Sequence, residues 1–490
     1  MAKVTVVGGG LAGCEAAWQL AERGHDVTLI EMRPVRRTPA HQTDRLAELV
    51  CTNSFKSTDP TNAHGLLKTE MVALGSLLLA AAEEARIPAG AALAVDREIF
   101  SGRMTELIAS HPRITIERRE VTTLPEGPTV LATGPLTSDA LADEIAALLG
   151  DDGLAFYDAI APIVSGDSID MNVAYFLSRY GKGDGDDYLN CPLDREQYLA
   201  FLHALREADI YPGHEWENIR IADEGEAASG TGASAPGADD GADGGRGAAP
   251  DGTAGRVGPD GVPYFEGCLP IEVLASRGDD TLRFGPMKPV GLPDPRTGRE
   301  PYAVLQLRRE DKAGQMWNLV GFQTRLRTGE QRRVFRMIPG LENAEFLRYG
   351  SIHRNTYLNF PARLNAYGAH PSRPELIFAG QLTGVEGYTE SAASGILAGV
   401  NLDRIVRGLE PVLPPSTTML GGLYRYLREG DPKAFAPMNS NFGLLDPLQE
   451  RIRDKRAKRE RLVERARRDF AAWMREHGIE PVEIAARAAA

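Results

Sequence analysis

The run Lys3-Val4-Thr5-Val6-Val7 is β-branched and passes directly into Gly8-Gly9-Gly10-Leu11-Ala12-Gly13. Residues 14–23 then read as a helix, and a second apolar run, Val27-Thr28-Leu29-Ile30, ends on Glu31. Strand, glycine turn, helix, strand and acid follow in the order of a dinucleotide-binding unit, with Gly8, Gly10 and Gly13 at the G-x-G-x-x-G positions. Gly8 permits the tight turn, Gly10 lets the backbone approach a pyrophosphate, and Gly13 lets the helix lie close to the strand. The helix N-terminus offers unpaired N–H groups and a partial positive charge to phosphates. Glu31 suits a ribose hydroxyl pair and would repel a 2′-phosphate. A glycine match alone is weak, but flanking strands, helix and acid together make it specific.

A chain of 490 residues, 42% of them hydrophobic, has material for two or three domains with proper cores. It contains no apolar stretch long enough to cross a bilayer, and the strand at Lys3 is not preceded by the charged and apolar regions of a signal peptide. Four cysteines with no C-x-x-C pair argue against a disulfide scaffold and a zinc ribbon, and no metal site is expected. A reducing cytoplasm is the expected setting. The net charge of −13 speaks against a polyanion partner only until its distribution is considered. Residues 222–261 carry eight acids and two arginines, whereas residues 450–475 carry eleven Lys or Arg against five acids. Local sign counts for more than the total.

A polar, Pro- and Arg-rich loop occupies residues 33–43. Helices are expected over 63–86 and 96–110, and a strand at Ile114-Thr115-Ile116-Glu117. Thr129-Val130-Leu131-Ala132-Thr133-Gly134-Pro135 reads as a buried strand closed by a turn, which fits both a chain passing a cofactor and a plain strand end. Residues 155–335 have shorter strands, more aromatics and helix only around 194–208, the pattern of an inserted second domain. Within it, 222–261 is Gly, Ala, Asp and Ser, too poor in apolar residues to offset its ordering entropy. It is read as a disordered surface insertion. Glu375-Leu376-Ile377-Phe378-Ala379-Gly380-Gln381 is again a strand ending on glycine, followed by a small-residue helix over 389–406. That arrangement suits a second stretch of backbone lying against a cofactor and equally a closely packed helix. No second full glycine fingerprint exists, so one dinucleotide is held permanently and any other nucleotide binds by other means. Residues 448–478 have helical spacing, with Leu462, Val463, Phe470 and Trp473 on one face. Their Arg and Lys side chains suit phosphate contacts and equally a solvated face.

Cys14 lies in the first helix, where a small apolar side chain packs well. Cys51 stands before Asn53, Ser54 and Lys56, and Cys268 lies in the turn Phe265-Glu266-Gly267-Cys268-Leu269-Pro270. Thiolate is the reactive form, and a nearby cation with partial exposure favours it. On spacing alone a buried structural role fits each of these, and Cys191 in Leu189-Asn190-Cys191-Pro192 is ambiguous.

The glycine turn continued through Cys14-Glu15-Ala16, together with Cys51-Thr52-Asn53-Ser54 and Phe265-Glu266-Gly267-Cys268, resembles a known family. So do Phe284-Gly285-Pro286-Met287-Lys288-Pro289, Asn318-Leu319-Val320-Gly321-Phe322-Gln323-Thr324 and His353-Arg354-Asn355-Thr356-Tyr357. The last block, Ala379-Gly380-Gln381-Leu382-Thr383-Gly384-Val385-Glu386-Gly387-Tyr388, does as well. Together they resemble the folate- and FAD-dependent tRNA (uracil-5-)-methyltransferases from the first strand to about residue 425. The acidic 222–261 insertion departs from that family and the basic tail matches it loosely, which touches tRNA docking more than chemistry.

The resemblance implies an α/β fold: a Rossmann-like FAD-binding domain of glutathione-reductase type, an inserted α+β domain and a C-terminal helical tail. Its parts would be 1–154, 155–335, 336–435 and 436–490. It implies FAD held by Gly8, Gly9, Gly10, Leu11, Ala12, Gly13, Glu31, Thr133, Gly134, Gly380 and Gln381. Methylenetetrahydrofolate would give the carbon, NAD(P)H the reducing equivalents, and tRNA would be the substrate. Uracil C5 becomes nucleophilic only after a thiolate adds to C6, and a second group must then remove the C5 proton. By the family pattern Cys268 is the nucleophile and Cys51 its partner, acting as base or shielding the flavin, with exchanged roles equally consistent. His353, Arg354 and Asn355 would line the folate or substrate side. Two other functions compete: a related flavoenzyme building carboxymethylaminomethyl groups on wobble uridine, and a non-catalytic flavin-bearing tRNA-binding protein. A flavin disulfide reductase is disfavoured, because it needs paired cysteines and a second fingerprint.

Overall fold

The structure, a computed structural model, describes residues 1–38, 40–150, 154–181, 183–211, 269–433 and 435–484, with backbone only for 154–160 and 352–355. Cys268 and the 222–261 insertion therefore lie outside the described residues.

The opening strand β1 (Lys3–Val7), helix α1 (Leu11–Glu22) and strand β2 (Asp26–Glu31) form the unit expected from the glycine turn. β1 is the pivot of a six-stranded sheet. On one side it pairs in parallel with β2, which pairs with Ile114–Arg118. On the other it pairs in parallel with Thr129–Leu131, which pairs with Arg373–Phe378. Ala369–His370 adds an antiparallel edge. The strand order thus reverses at β1, and the crevice beyond the carboxyl ends of the strands at such a reversal is where open α/β sheets bind ligands.

The helix Tyr388–Val406 packs along α1. A Cβ on Gly395 would stand 2.1 Å from the Ala12 carbonyl oxygen, and one on Gly399 would stand 2.8 Å from Gln19 Cβ. Small residues in this helix are therefore required by packing, while its first turn faces the crevice.

A single helix over 63–86 is not what forms. Ala63–Ala73 and Leu77–Glu84 meet at 112°. Gly75 at the corner has φ +79°, and its missing side chain leaves room for the Val482 carbonyl oxygen, which a Cβ would approach to 2.3 Å. The side-chain amide of Gln19 binds the carbonyls of Leu74 and Gly75 at 3.0 and 3.2 Å, satisfying the broken turn. Gly75→Ala should lower stability by at least about 1–2 kcal/mol, the left-handed penalty alone, with displacement of the 482–484 segment added. Thermal unfolding of the two proteins checks this, and an unchanged midpoint would show that the corner relaxes freely.

A second, antiparallel sheet has the order Tyr175–Phe176, Tyr188–Leu193, Ala303–Arg309, Met316–Leu319, Ile163–Ser165, Phe346–Arg348. It carries its own core, including Leu189, Leu305, Phe201, Phe322 and Phe335. Helix is not confined to 194–208 here. Besides Arg195–Glu207, capped by the reciprocal Asp194 and Gln197 bonds, there are helices at Ile271–Ser276 and Thr328–Phe335. Both are shorter than the window of about 11–18 residues over which helical periodicity is read. The antiparallel pair Leu154–Ile160 and Ser351–Tyr357 connects the two sheets in the chain.

The last long helix, Lys455–Glu476, buries Leu462, Val463, Phe470 and Trp473 on the core of the first sheet and leaves its charged face outward. Among the described residues no single helix is long and apolar enough to cross a membrane.

Candidate cofactor cleft and thiol loop

The crevice at the end of β1 is a cleft of about 1030 Å³ including its open mouth. Gly8, Gly9, Gly10, Leu11, Ala12, Glu31, Thr133, Gly134, Gly380 and Gln381 all line it. Gly13 does not. It lies behind the turn, where a Cβ would stand 1.8 Å from the Gly8 carbonyl oxygen. Gly8, at φ +101°, faces the Ala132-Thr133 backbone, with 2.4 Å between a Cβ and the Ala132 oxygen. Gly10 differs from both: a Cβ there would meet no protein atom within 4 Å. Gly10 also caps α1 without any side-chain bond, so the first helical N–H groups are left for a ligand.

Glu31 does more than await a ribose. Its Oε2 accepts the Gly9 N–H at 2.8 Å, and its Oε1 accepts the Arg33 N–H at 3.0 Å and Nε at 2.8 Å. Burial opposes its charge, but Arg33 and the two backbone donors outweigh that and hold the carboxyl below its usual range. Arg33 is itself committed, since its Nη1 also binds Glu48 Oε2 at 3.1 Å and the Thr43 carbonyl at 3.3 Å. A ribose 2′-phosphate would therefore meet carboxylates and no uncommitted guanidinium. These features fit a dinucleotide with a free 2′-hydroxyl: an open glycine edge for its pyrophosphate, bare helix N–H groups, and an acid that still has lone pairs for a ribose.

Tyr388, in the first turn of its helix, lines the cleft and reaches out of it. Its hydroxyl accepts the backbone N–H of Cys51 at 2.8 Å and that of Thr52 at 3.3 Å. Burial, then Cys51, push the phenol well above its usual range. The same loop is gripped from the other side by Arg97, which binds the Leu49 carbonyl at 2.6 Å and the Cys51 carbonyl at 3.1 Å. Arg97 is paired with Glu310 at 2.5 Å, bringing the end of the Ala303–Arg309 strand to the loop. Asn53 donates to the carbonyls of Val95 and Arg309 and accepts from Arg308 Nε, so its amide is spent tying Val95 to the Ala303–Arg309 strand. Lys56 acts on the buried Glu390.

Cys51 is half-buried, while Cys14 and Cys191 are buried. Burial, with Glu31 and Glu15 adding to it, pushes the Cys14 thiol far up, and burial pushes Cys191 up to about 12. Cys51 is thus the one reachable thiol among the described cysteines. His353, Arg354 and Asn355 pair with Asp158, Tyr157 and Phe156 on the strand between the sheets; their side chains lie outside the described set. Among the described residues no His, Cys, Asp and Glu group could hold a metal.

Arg33, Glu48, Arg97, Glu310 and Tyr388 escape the sequence reading as site residues. Arg33 has a local signal, two positions after the acid. Arg97 and Glu310 are 213 positions apart and have none.

A parallel sheet reversing at a glycine turn, with a small-residue helix laid against it, defines a nucleotide-binding flavoprotein-type fold. A family model described as Glucose inhibited division protein A matches residues 3–233 and 259–410. The GidA structure from Aquifex aeolicus superposes with a TM-score of 0.62 at 15% identity, covering 97% of this chain and 73% of that one. The Geobacter sulfurreducens methylenetetrahydrofolate–tRNA-(uracil-5-)-methyltransferase TrmFO is 51% identical over 96% of this chain and 98% of its own. The Anoxybacillus flavithermus TrmFO is 49% identical over 95% and 97%. The chain belongs to the TrmFO family, within the wider GidA group.

Proposed function

We propose that this chain is a folate-dependent tRNA (uracil-5-)-methyltransferase that forms 5-methyluridine in the T loop, with FAD in the cleft and NAD(P)H as reductant. A cytoplasmic setting, where tRNA and reduced nicotinamide meet, goes with it. The observation that carries the reading is the physical link between the cleft and the thiol loop: Tyr388 lines the cleft and its hydroxyl accepts the backbone N–H groups of Cys51 and Thr52. Identity near one half with TrmFO proteins over nearly the whole chain supports the same activity.

The chain's own contribution is positional. The glycine edge and α1 N-terminus hold a pyrophosphate, and Glu31 takes the ribose hydroxyls. Bound flavin supplies the electron transfer that turns a methylene into a methyl group. One sulfur adds to uracil C6, which makes C5 a carbon nucleophile, and a second group removes the C5 proton once the new bond exists. Cys268 is assigned the addition and Cys51 the proton removal or protection of the flavin. His353, Arg354 and Asn355 are assigned to the folate or substrate side.

With tRNA lacking the modification, methylenetetrahydrofolate and reduced nicotinamide, the purified protein should convert the T-loop uridine. Cys268→Ala should abolish methyl transfer, since no thiolate is left to add to C6, and Cys51→Ala should lower turnover by at least about 10²-fold, the lower range for losing an acid–base group; both should keep their visible flavin absorbance. Modification at the anticodon wobble uridine would favour the carboxymethylaminomethyl-forming activity instead. Full cellular T-loop methylation in Cys268→Ala cells would favour a non-catalytic role.

A further inference from the structure

Arg348 ends the edge strand Phe346–Arg348 of the second sheet, opposite Ile163. Its side chain is half-buried and, among the described residues, makes no hydrogen bond or ion pair. Burial, then the Arg97 charge, pull its pKa below the usual guanidinium range, while Tyr388, Cys51 and Glu310 act in the opposite direction. Ile163 pairs with Asn318 and Asn318 with Arg308, whose guanidinium binds Asn53 and Thr52, so Arg348 stands in the cross-strand row that meets the Cys51 loop.

Three neighbouring arginines have acceptors. Arg33 has Glu31 and Glu48, Arg97 has Glu310, and Arg308 has Asn53 and Thr52. A guanidinium carries five N–H donors, and burying them without acceptors is unfavourable. Glu310 does not answer this need. Its Oε2 is taken by Arg97, and its Oε1 is buried without a partner. Among the described residues of this cluster, Arg97 and Arg308 are therefore committed and Arg348 is not.

We propose that Arg348 receives O4 of the target uracil and donates N–H hydrogen bonds to the negative charge that gathers there during thiolate addition. This rests on the methyltransferase reading. In that step a sulfur–C6 bond forms, the C5–C6 π pair moves to C4–C5, and the C4–O4 π pair comes to rest on O4. No electrons are gained or lost overall. When C5 bonds to the incoming carbon, the pair returns from O4 to C4. O4 is neutral in the substrate and anionic in the intermediate, so a guanidinium there acts mainly on the transition state. The placement holds whether Cys51 adds to C6 or removes the C5 proton, because C4 adjoins C5 and C5 adjoins C6.

Arg348→Gln and Arg348→Lys, each loaded with flavin, test this alongside wild type. For Arg348→Gln, KM for tRNA and for methylenetetrahydrofolate should stay within about twofold, and kcat should fall about 10²–10³-fold, as for loss of an oxyanion donor. Arg348→Lys, which keeps charge without the planar fork, should recover part of kcat. Guanidinium ion added to Arg348→Ala should also recover part, which a purely structural defect would not show. A kcat within twofold of wild type in Arg348→Gln, or a loss confined to KM, overturns the assignment. The latter would mark a site for a tRNA phosphate or a folate carboxylate. Wild type unable to methylate would instead overturn the methyltransferase reading, so the two failures are distinct.

Discussion

Purified Gly10→Val protein should be folded and colourless. Of the fingerprint glycines, Gly10 has open space where a side chain would project, and a β-carbon there meets no protein atom within 4 Å. What it meets is the pyrophosphate that the turn is shaped to approach. The expected loss is on the order of 10³-fold in flavin affinity, about 4 kcal/mol, with thermal unfolding of the flavin-free protein nearly unchanged. Visible absorbance after gel filtration and a melting curve on stripped protein measure the two effects separately. A yellow Gly10→Val protein would remove the glycine turn from the binding site. Gly13→Ala provides the contrast: a methyl 1.8 Å from the Gly8 oxygen must distort the turn itself, so colour and stability should fall together.

Arg97→Leu should have the other large effect. It strands Glu310, whose side chain is 1% exposed, without a counter-charge, and it frees the carbonyls of Leu49 and Cys51. Removing one partner of a buried ion pair typically costs about 3–5 kcal/mol, which denaturant unfolding resolves. The double variant Arg97→Leu with Glu310→Leu should regain much of that stability, since no unpaired charge remains. It should not regain methylation, because the Cys51 loop is still released. Recovery of both together would show that the pair serves the fold alone and does not set the thiol's position.

Much of the nucleotide-binding half was legible because its signals are local. β1, the glycine turn, α1, β2 and Glu31 follow one another within a single supersecondary unit, and each residue's role there is fixed by its neighbours in the chain. Thr133, Gly134, Gly380 and Gln381 line the cleft because each follows an apolar strand and strands of a parallel sheet end at the same edge, although their local signal fitted a plain strand end equally well. The 63–86 break was not readable. Its apolar composition favours helix throughout, and the corner at Gly75 is imposed by Gln19 and by the Val482 backbone, both distant in sequence. The two short helices near 271–276 and 328–335 were missed because each is shorter than the window of about 11–18 residues in which a helical period stands out.

By itself, then, the sequence determined that a strand, a glycine turn and a helix would present open backbone to a dinucleotide, and it supplied the thiols. Only the tertiary structure decided which thiol is reachable and what holds it. Burial silences Cys14 and Cys191, while Tyr388, Arg97 and Glu310 converge on Cys51 from three separate parts of the chain. The reason is physical. Turn geometry is set by φ and ψ within a few residues, whereas burial, charge pairing and the lone guanidinium of Arg348 depend on neighbours that only folding brings together.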